Sequence, residues 1–348
     1  MTNTINENEM TRWATPSGPV ALYLRRDLLP VEGEGGVFFP PTYADAKDGY
    51  NIDTLSDGTK VVLVDSVGAQ ANRLEPLFKE EKLAHLVPQV NITFETTQKT
   101  KGQISLLEAG HRLGDAAVRS TELKDEATKS FRALLDGDAT PLARLNPTAL
   151  LFGAWDSRDT MAKVPRILQS VIRAWDIELL HRSAQYTPSL PYAELGAFTD
   201  KDREKAEGNS KSVLAQRGFV DVPAGQTHGG VVARGPIRQD VTVNLIALRR
   251  LESRGGSSEL LREYILGLAL VAATQYSEPF LRQGCLLVPK SPEDAWEVVE
   301  RDGSRTAVQL DPNQILEFAT SRASSFEVPA VPRTVAFDKN LAKGDLKA

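Results

Sequence analysis

The hydrophobic pattern in the first part of the chain predicts a strand that runs directly into a helix. Residues 60–65 are a short β-branched run after a DG turn signal, which is typical of a strand. The polar stretch 70–75 predicts a helix, which Pro76 breaks, kinks or restarts. The first turn of that helix is expected just beyond the end of the strand.

A second passage of the same kind is predicted far downstream. Residues 241–248 have the alternating and branched pattern of a strand, and Ser257 or Ser258 can cap the helix that follows. Residues 285–288 predict a further short apolar strand. If the two passages pair side by side, the fold class is α+β: a ferredoxin-like βαββαβ antiparallel sheet with helices on one face and large insertions.

Between these passages the pattern favours helices. Helical spacing within residues 115–135 indicates a helix that a DGD triplet ends. Residues 149–155 are an apolar strand candidate, and a polar loop follows them. Residues 164–179 have the three–four spacing of a buried helical stripe, so that Arg166, Ser170 and Arg173 are expected on another face of one helix.

These elements predict one elaborated domain over residues 1–348. The expected appendages are a loose N-terminal tail at 1–15, a largely inserted helical region at 79–240, a flexible loop and projection at 198–238, and a C-terminal tail at 330–348.

Composition narrows the class of protein. Hydrophobic residues make up 41% and charged residues 25%, which is a globular balance, and the longest apolar run is about half of what a bilayer crossing needs. The single cysteine excludes an intramolecular disulfide, so that a cytoplasmic setting is expected. The net charge of −5 argues against a free-standing nucleic-acid binder, although residues 216–254 carry six basic and three acidic side chains.

Catalytic signals are weak throughout the sequence. The four histidines lack the spacing of paired metal ligands, and no cofactor-binding motif is present, so that neither a metal nor a cofactor is expected. Cys285 lies in an apolar run and is expected to be a buried hydrophobic residue. His228, in a glycine-rich segment, is the histidine most suited to acid–base chemistry, although a solvated loop histidine is the commoner explanation of such a residue.

Residues suited to binding a polynucleotide fall into three groups. Side-chain amides and a guanidinium at the predicted strand–helix junction can hold sugar and phosphate oxygens, although ordinary helix-surface residues would look the same. A row of cations from 158 to 173 can follow a phosphate backbone, and the alternative is a salt-bridged surface with nearby Asp156, Asp159 and Asp176. An aromatic–proline segment at 37–43 can stack bases, although burial of its aromatic rings is the commoner explanation. The candidates from these groups are Phe39, Gln70, Asn72, Arg73, Arg158, Lys163, Arg166 and Arg173, and the arginine-rich projection at 198–238 adds Arg234 and Arg238.

The same segments carry a family resemblance. Five segments carry it: 28–33 (LLPVEG), 37–43 (VFFPPTY), 64–75 (VDSVGAQANRLE), 152–157 (FGAWDS) and 281–288 (LRQGCLLV). In these segments the sequence resembles the crRNA-binding backbone subunit of type I-G CRISPR Cascade, formerly type I-U, in the RAMP superfamily.

The resemblance implies a hand-like shape with an RRM-type palm, inserted fingers within 79–240 and a thumb-like projection within 198–238. It implies a non-catalytic subunit whose copies stack head to tail along crRNA beside other Cascade subunits. The guide bases are then left free to pair with target DNA, because the protein holds the backbone and base pairing reads the sequence. Two rivals are a metal-independent endoribonuclease of the RAMP type that uses His228, and a scaffold that polymerises without RNA.

Overall fold

A large sheet organises the molecule. The structure is a computed structural model, and residues 3–192, 194–206, 208–275, 280–292 and 296–344 are described. The strands are β1 Asn3–Thr4, β2 Ala21–Pro30, β3 Ile52–Thr54, β4 Lys60–Asp65, β5 Val90–Glu95, β6 Lys101–Ser105, β7 Ala154–Trp155, β8 Lys163–Val164, β9 Leu168–Trp175, β10 Ile177–Tyr186, β11 Val222–Ala233, β12 Ile237–Asn244, β13 Leu287–Pro289, β14 Trp296–Val299, β15 Arg305–Gln309 and β16 Arg333–Ala336. The α-helices are α1 Glu7–Ala14, α2 Val67–Leu74, α3 Ala116–Arg119, α4 Lys124–Leu135, α5 Thr140–Leu145, α6 Pro147–Phe152, α7 Asp200–Ala206, α8 Val213–Gln216, α9 Leu245–Arg249, α10 Ser258–Thr274, α11 Pro312–Ser325 and α12 Lys339–Gly344.

The large sheet has the strand order β1–β15–β14–β2–β12–β9–β4–β3, with β13 also paired to β2. Its central strands β14, β2, β12 and β9 are all antiparallel to their neighbours. Helices α2 and α10 lie on the same face of this sheet. Gln239, Val241 and Val243 of β12 share that face, because every second side chain of a strand points to the same side. Gln239 bonds to Gln70 of α2, and the two valines join the core that surrounds α10. The predicted α+β class is confirmed.

Two insertions interrupt the central strands. Between α2 and β9 lie α3 to α6, short 3₁₀ turns, the hairpin β7–β8 and the strands β5 and β6. The C-terminal strand β16 joins β5 and β6 in a small sheet with the order β16–β5–β6. Between β9 and β12 lies the long antiparallel hairpin β10–β11, with α7 and α8 between its strands. The segment 222–233 expected in a flexible projection is therefore a paired strand.

The predicted strand–helix junction is confirmed in detail. Ser66 follows β4 and caps α2, its Oγ accepting a hydrogen bond from the Ala69 amide at 3.1 Å. Pro76 then lies in a 3₁₀ turn over Glu75–Lys79, which restarts the helical path. The predicted cap of the long helix α10 is Ser257, whose Oγ accepts from the Leu260 amide at 3.1 Å.

The predicted helix at 164–179 is wrong. This segment forms β8, β9 and the start of β10, and Asp176, with φ 49°, separates the last two strands. Its β-branched valines and isoleucines favour a strand that is covered by the core, and in such a strand the three–four spacing of apolar residues carries no helical meaning. Ser170 and Arg173 therefore lie on opposite faces of β9 rather than on one face of a helix.

Three further expectations need correction. The apolar run 149–155 lies mainly in α6, which begins with Pro147 at a position that proline favours; only residues 154–155 are a strand. The N-terminal segment is not a loose tail from residue 3 onward, because α1 buries Trp13 completely. In the C-terminal segment, β16 pairs with β5, so that residues 333–336 are part of a sheet.

Candidate nucleic-acid interface

A buried carboxylate at the end of β4 holds two arginines. Asp65 is 0% exposed and accepts hydrogen bonds from Arg73 Nε at 3.1 Å and Arg282 Nη2 at 2.6 Å. Both guanidiniums remain partly open, since the Arg73 and Arg282 side chains are 27% and 21% exposed. One carboxylate facing two guanidiniums leaves surplus positive charge at a partly open position.

Backbone carbonyl groups fix the other ends of these two guanidiniums. Arg73 Nη1 donates to the carbonyl of Phe280 at 2.9 Å, and Arg282 Nη1 donates to the carbonyl of Val64 at 2.7 Å. The two arginines are therefore oriented before any ligand arrives, which lowers the entropy cost of binding an anion.

Gln70 lies beneath this arginine pair rather than on the surface. Its side chain donates to Asp65 Oδ2 at 2.7 Å, and its Oε1 accepts from Ser170 Oγ at 2.7 Å and Gln239 Nε2 at 3.1 Å. Gln70 is only 2% exposed, so that its amide joins α2 to β9 and β12. In the isolated chain it positions Arg73 through Asp65 and presents no amide to solvent.

Asn72 connects α2 to the next segment through a buried arginine. The exposed Asn72 accepts from Arg112 Nη2 at 3.4 Å, and Arg112 Nη1 donates to the carbonyl of Gly153 at 3.0 Å. Arg112 Nε lies 2.7 Å from a carboxylate oxygen of Glu75, which is 1% exposed. Burial raises the pKa of Glu75 to about 7, although the neighbouring guanidinium opposes that shift.

The contacts that run from Asn72 through Arg112 to Gly153 continue to Arg166. Gly153 has φ 81°, and a Cβ added there would lie 2.8 Å from Cγ of Arg166, so that the absence of a side chain lets Arg166 cross the backbone. Arg166 is exposed. We call Arg73, Arg282, Lys163 and Arg166 the basic edge, because contacts through Asn72, Arg112 and Gly153 link its two ends.

Acidic side chains near the β7–β8 hairpin are engaged within the fold. Asp156 accepts from the amide and Oγ1 of Thr160 at 2.9 and 2.7 Å. Asp159 accepts from Thr128 Oγ1 at 2.8 Å and lies 3.7 Å from Arg132. Neither Lys163 nor Arg166 forms an ion pair with a residue that the structure describes, and the same holds for Arg158 at the hairpin tip beside α4. The salt-bridged surface considered from the sequence is therefore wrong for these cations.

Three predicted cations lie away from the basic edge. Arg173 and Arg238 are register partners on the open face of the sheet, opposite α2, and the Arg238 guanidinium lies 5.0 Å from the ring centre of Trp175. Arg234 pairs with Glu178 at 2.9 Å at the base of the β10–β11 hairpin. The expectation of one continuous row from Arg158 to Arg173 is wrong, because the alternation of β9 directs Arg173 to the other face.

The aromatic and histidine candidates lie near the β10–β11 hairpin. Phe39 is half-buried, with its amide bonded to the carbonyl of Gly284 at 2.9 Å and the Arg182 guanidinium 5.7 Å from its ring centre. His228 packs against Tyr50, with ring centres 5.0 Å apart, and fills the space where a Cβ of Gly49 would lie. Both rings therefore have packing roles in the chain alone.

Three further features concern Cys285, metal-ligating side chains and membrane-spanning helices. Cys285 is 0% exposed, and burial raises the pKa of its thiol to about 11, as expected for a buried hydrophobic residue. Within the described ranges, no group of three or more acidic, histidine or cysteine side chains is arranged to hold a metal ion. Across the same ranges, no helix has the length and apolar character that a membrane span requires.

Comparison with known families adds one finding. Residues 22–179, which run from β2 into β10 and include α2 and the β7–β8 hairpin, match the family model described as CRISPR-associated protein GSU0053 (Cas_GSU0053). The match supports an association with CRISPR systems. The matched segment contains every residue of the basic edge except Arg282. No curated protein matches the chain.

The sequence analysis missed Arg282 and Arg112. Arg282 lies inside the recognised segment 281–288, but its partner Asp65 is 217 positions away. Arg112 lies 40 positions from Asn72 and had no motif of its own. Only the folded chain brings these residues to the junction.

Proposed function

We propose that the chain is a non-catalytic crRNA-binding backbone subunit of a type I-G CRISPR Cascade complex, a member of the RAMP superfamily. In this proposal, copies stack head to tail along the guide RNA, beside other Cascade subunits, and present the guide to target DNA. The observation that carries the proposal is the basic edge: exposed Lys163 and Arg166 lack acidic partners among the described residues, within a segment that matches a CRISPR-associated family.

The chemistry of the basic edge suits a phosphate backbone. Arginine and lysine bind phosphate oxygens without reading base identity, and each contact releases counterions from the nucleic acid. A guide must keep its base edges free, since pairing with the target depends on them. The modest charge of one copy is sufficient if the affinity is summed over linked copies.

The fold supports the palm, finger and thumb interpretation. The spatial order β14–β2–β12–β9, with α2 and α10 on one face, is the order expected of a ferredoxin-like palm whose strands follow the chain as β2, β9, β12 and β14. In this interpretation the insertion before β9 provides the fingers, and the β10–β11 hairpin provides the thumb. A head-to-tail contact between such copies propagates a helix instead of closing a dimer.

The test is the nucleic acid that accompanies the protein when it is expressed together with a CRISPR array and purified. We expect an absorbance ratio typical of a nucleoprotein and an extracted RNA of uniform short length, and we expect nuclease digestion to shorten the assemblies. Assemblies of undiminished length after complete digestion would instead support the RNA-independent scaffold.

Replacing Arg166 with alanine is expected to weaken RNA binding about equally for all sequences. Because one phosphate contact is lost, the slope of log K against log salt should fall by about 0.7 for single-stranded RNA. Fluorescence anisotropy at several salt concentrations measures that slope. Arg12→Ala is the matched control, since Arg12 is an exposed arginine on α1 that already pairs with Glu9 at 3.2 Å. Equal slopes for the two variants would remove Arg166 from the interface.

The endoribonuclease alternative depends on His228. The proposal predicts that purified protein leaves crRNA intact in EDTA, because the packing of His228 against Tyr50 and Gly49 already explains its position. Cleavage that persists in EDTA and disappears in His228→Ala would overturn the non-catalytic assignment.

A further inference from the structure

Trp155 is a large apolar side chain that the fold leaves in solvent. It is 53% exposed, whereas Trp13 and Trp296 are 0% and 3% exposed. Exposing so much aromatic surface forgoes the burial free energy that a core position would provide. An exposed indole beside unpaired cations therefore indicates a binding role.

The backbone that carries this ring is firmly held. Trp155 pairs with Lys163 across the β7–β8 hairpin, and the next amide, of Asp156, donates to the carbonyl of Ala162 at 3.0 Å. On the other side, a Cβ added to Gly114 would lie 3.0 Å from the Trp155 carbonyl oxygen, so that the two chains are in close contact. The indole is thus presented by a fixed backbone rather than by a free loop, which reduces the entropy cost of using it.

The groups around the ring indicate which chemical groups a ligand must carry. The Lys163 ammonium lies 4.9 Å from the ring centre, and the exposed Arg166 follows on the same segment. A ligand that satisfies this site needs an aromatic face for the indole and anionic groups for the two cations. A nucleotide of a single strand provides both, because its base stacks and its flanking phosphates are charged.

We propose that Trp155 is a base-stacking residue, on which one nucleobase of a bound single-stranded RNA rests while Lys163 and Arg166 contact the adjacent phosphates. This inference rests on the proposed function, since it names the way in which the basic edge holds its polynucleotide. A stacking contact tolerates any base, since every base has a π face, and it is therefore compatible with a guide of arbitrary sequence.

A protein segment is the competing occupant of this surface. An apolar partner would have to desolvate Lys163 and Arg166, for which the described residues nearby offer no free carboxylate, and burying unpaired charge is costly. The local charge therefore favours a polyanion over an apolar protein surface.

The experiment measures binding of oligouridylate and of an abasic ribose-phosphate oligomer of equal length to three proteins: the wild type, Trp155→Ala and Trp155→Phe. We expect Trp155→Ala to bind oligouridylate about tenfold more weakly or worse, and to bind the abasic oligomer as the wild type does. Trp155→Phe, which keeps an aromatic face, should retain most of the affinity. Oligouridylate should also quench tryptophan fluorescence in the wild type. Trp155→Phe should lose most of that quenching, because Trp13 and Trp296 are buried and the half-buried Trp175 lies against the Arg238 guanidinium.

The outcomes separate this inference from the proposed function. If the wild type binds neither oligomer, the proposed function fails. If the wild type binds RNA and Trp155→Ala binds it equally well, with unchanged quenching in Trp155→Phe, base stacking is overturned and the RNA-binding proposal survives. If Trp155→Ala instead abolishes self-association of RNA-free protein, as measured by sedimentation, the ring contacts another protein chain and the inference is wrong.

Discussion

Replacing Asp65 with alanine should lower the free energy of unfolding by about 3–5 kcal/mol, which is the usual cost of removing one partner from a buried ion pair. The Asp65 carboxylate is 0% exposed and accepts from Arg73, Arg282 and Gln70. Without it, two partly buried guanidiniums face each other across an empty position. The repulsion between them adds to the loss of four charge-assisted hydrogen bonds, two from Arg73 and one each from Arg282 and Gln70.

Urea denaturation at neutral pH measures this change, and Asp27→Ala is its matched control. Asp27 is also an aspartate beside an arginine, 3.7 Å from Arg238 Nε, but its side chain is 52% exposed. An exposed pair contributes about 0–1 kcal/mol, so that the control should lose little stability. Similar losses in the two variants would show that burial does not determine how much the Asp65 carboxylate contributes to the free energy of unfolding.

The sequence predicted the junction around Asp65 because every signal for it is local. A β-branched run, a polar stretch suited to a helix and a proline directly after it lie within one short segment, and the chain folds as they indicate. The α10 cap at Ser257 was predictable for the same reason.

The segment 164–179 shows where the sequence pattern is ambiguous. Its apolar residues are so dense that either a helix or a strand packed against the core would bury most of them, and periodicity alone cannot choose between the two. The pairing of β9 with both β12 and β4 decides the outcome, and that pairing involves residues far away in the chain. The same ambiguity, resolved in the opposite direction, places residues 147–152 in α6.

The candidate site could be predicted only in part, for a related reason. Asn72 and Arg73, and separately Lys163 and Arg166, were found because each pair is close in sequence. The link between the two pairs is not in the sequence, because Arg112 and Gly153 come together through tertiary packing. Arg173 was misplaced because a wrong secondary structure assigns a side chain to the wrong face.

The second large effect is a pH dependence that originates in the Arg112–Glu75 pair. Burial raises the pKa of Glu75 from its ordinary value of 4.5 to about 7, so that the folded chain binds this proton more tightly than the unfolded chain does. The stabilisation from the bound proton is fully present below the ordinary pKa and is lost as the pH rises through the folded value. A difference of that size corresponds to about 3 kcal/mol between the two limits.

Glu75→Gln should therefore remove most of the loss of stability between about pH 5 and about pH 8, because glutamine does not titrate. Urea denaturation at the two pH values measures the change in the free energy of unfolding between them. That change does not depend on whether the variant is more or less stable overall. Glu108→Gln is the control of opposite sign, since the hydrogen bond from Lys79 lowers the pKa of Glu108 and its stabilisation is lost only on acidification. If Glu75→Gln keeps the full pH dependence of the wild type, Arg112 holds the Glu75 carboxylate ionised across this range. The Arg112–Glu75 contact would then be a permanent ion pair, and the position of the basic edge would not change between these pH values.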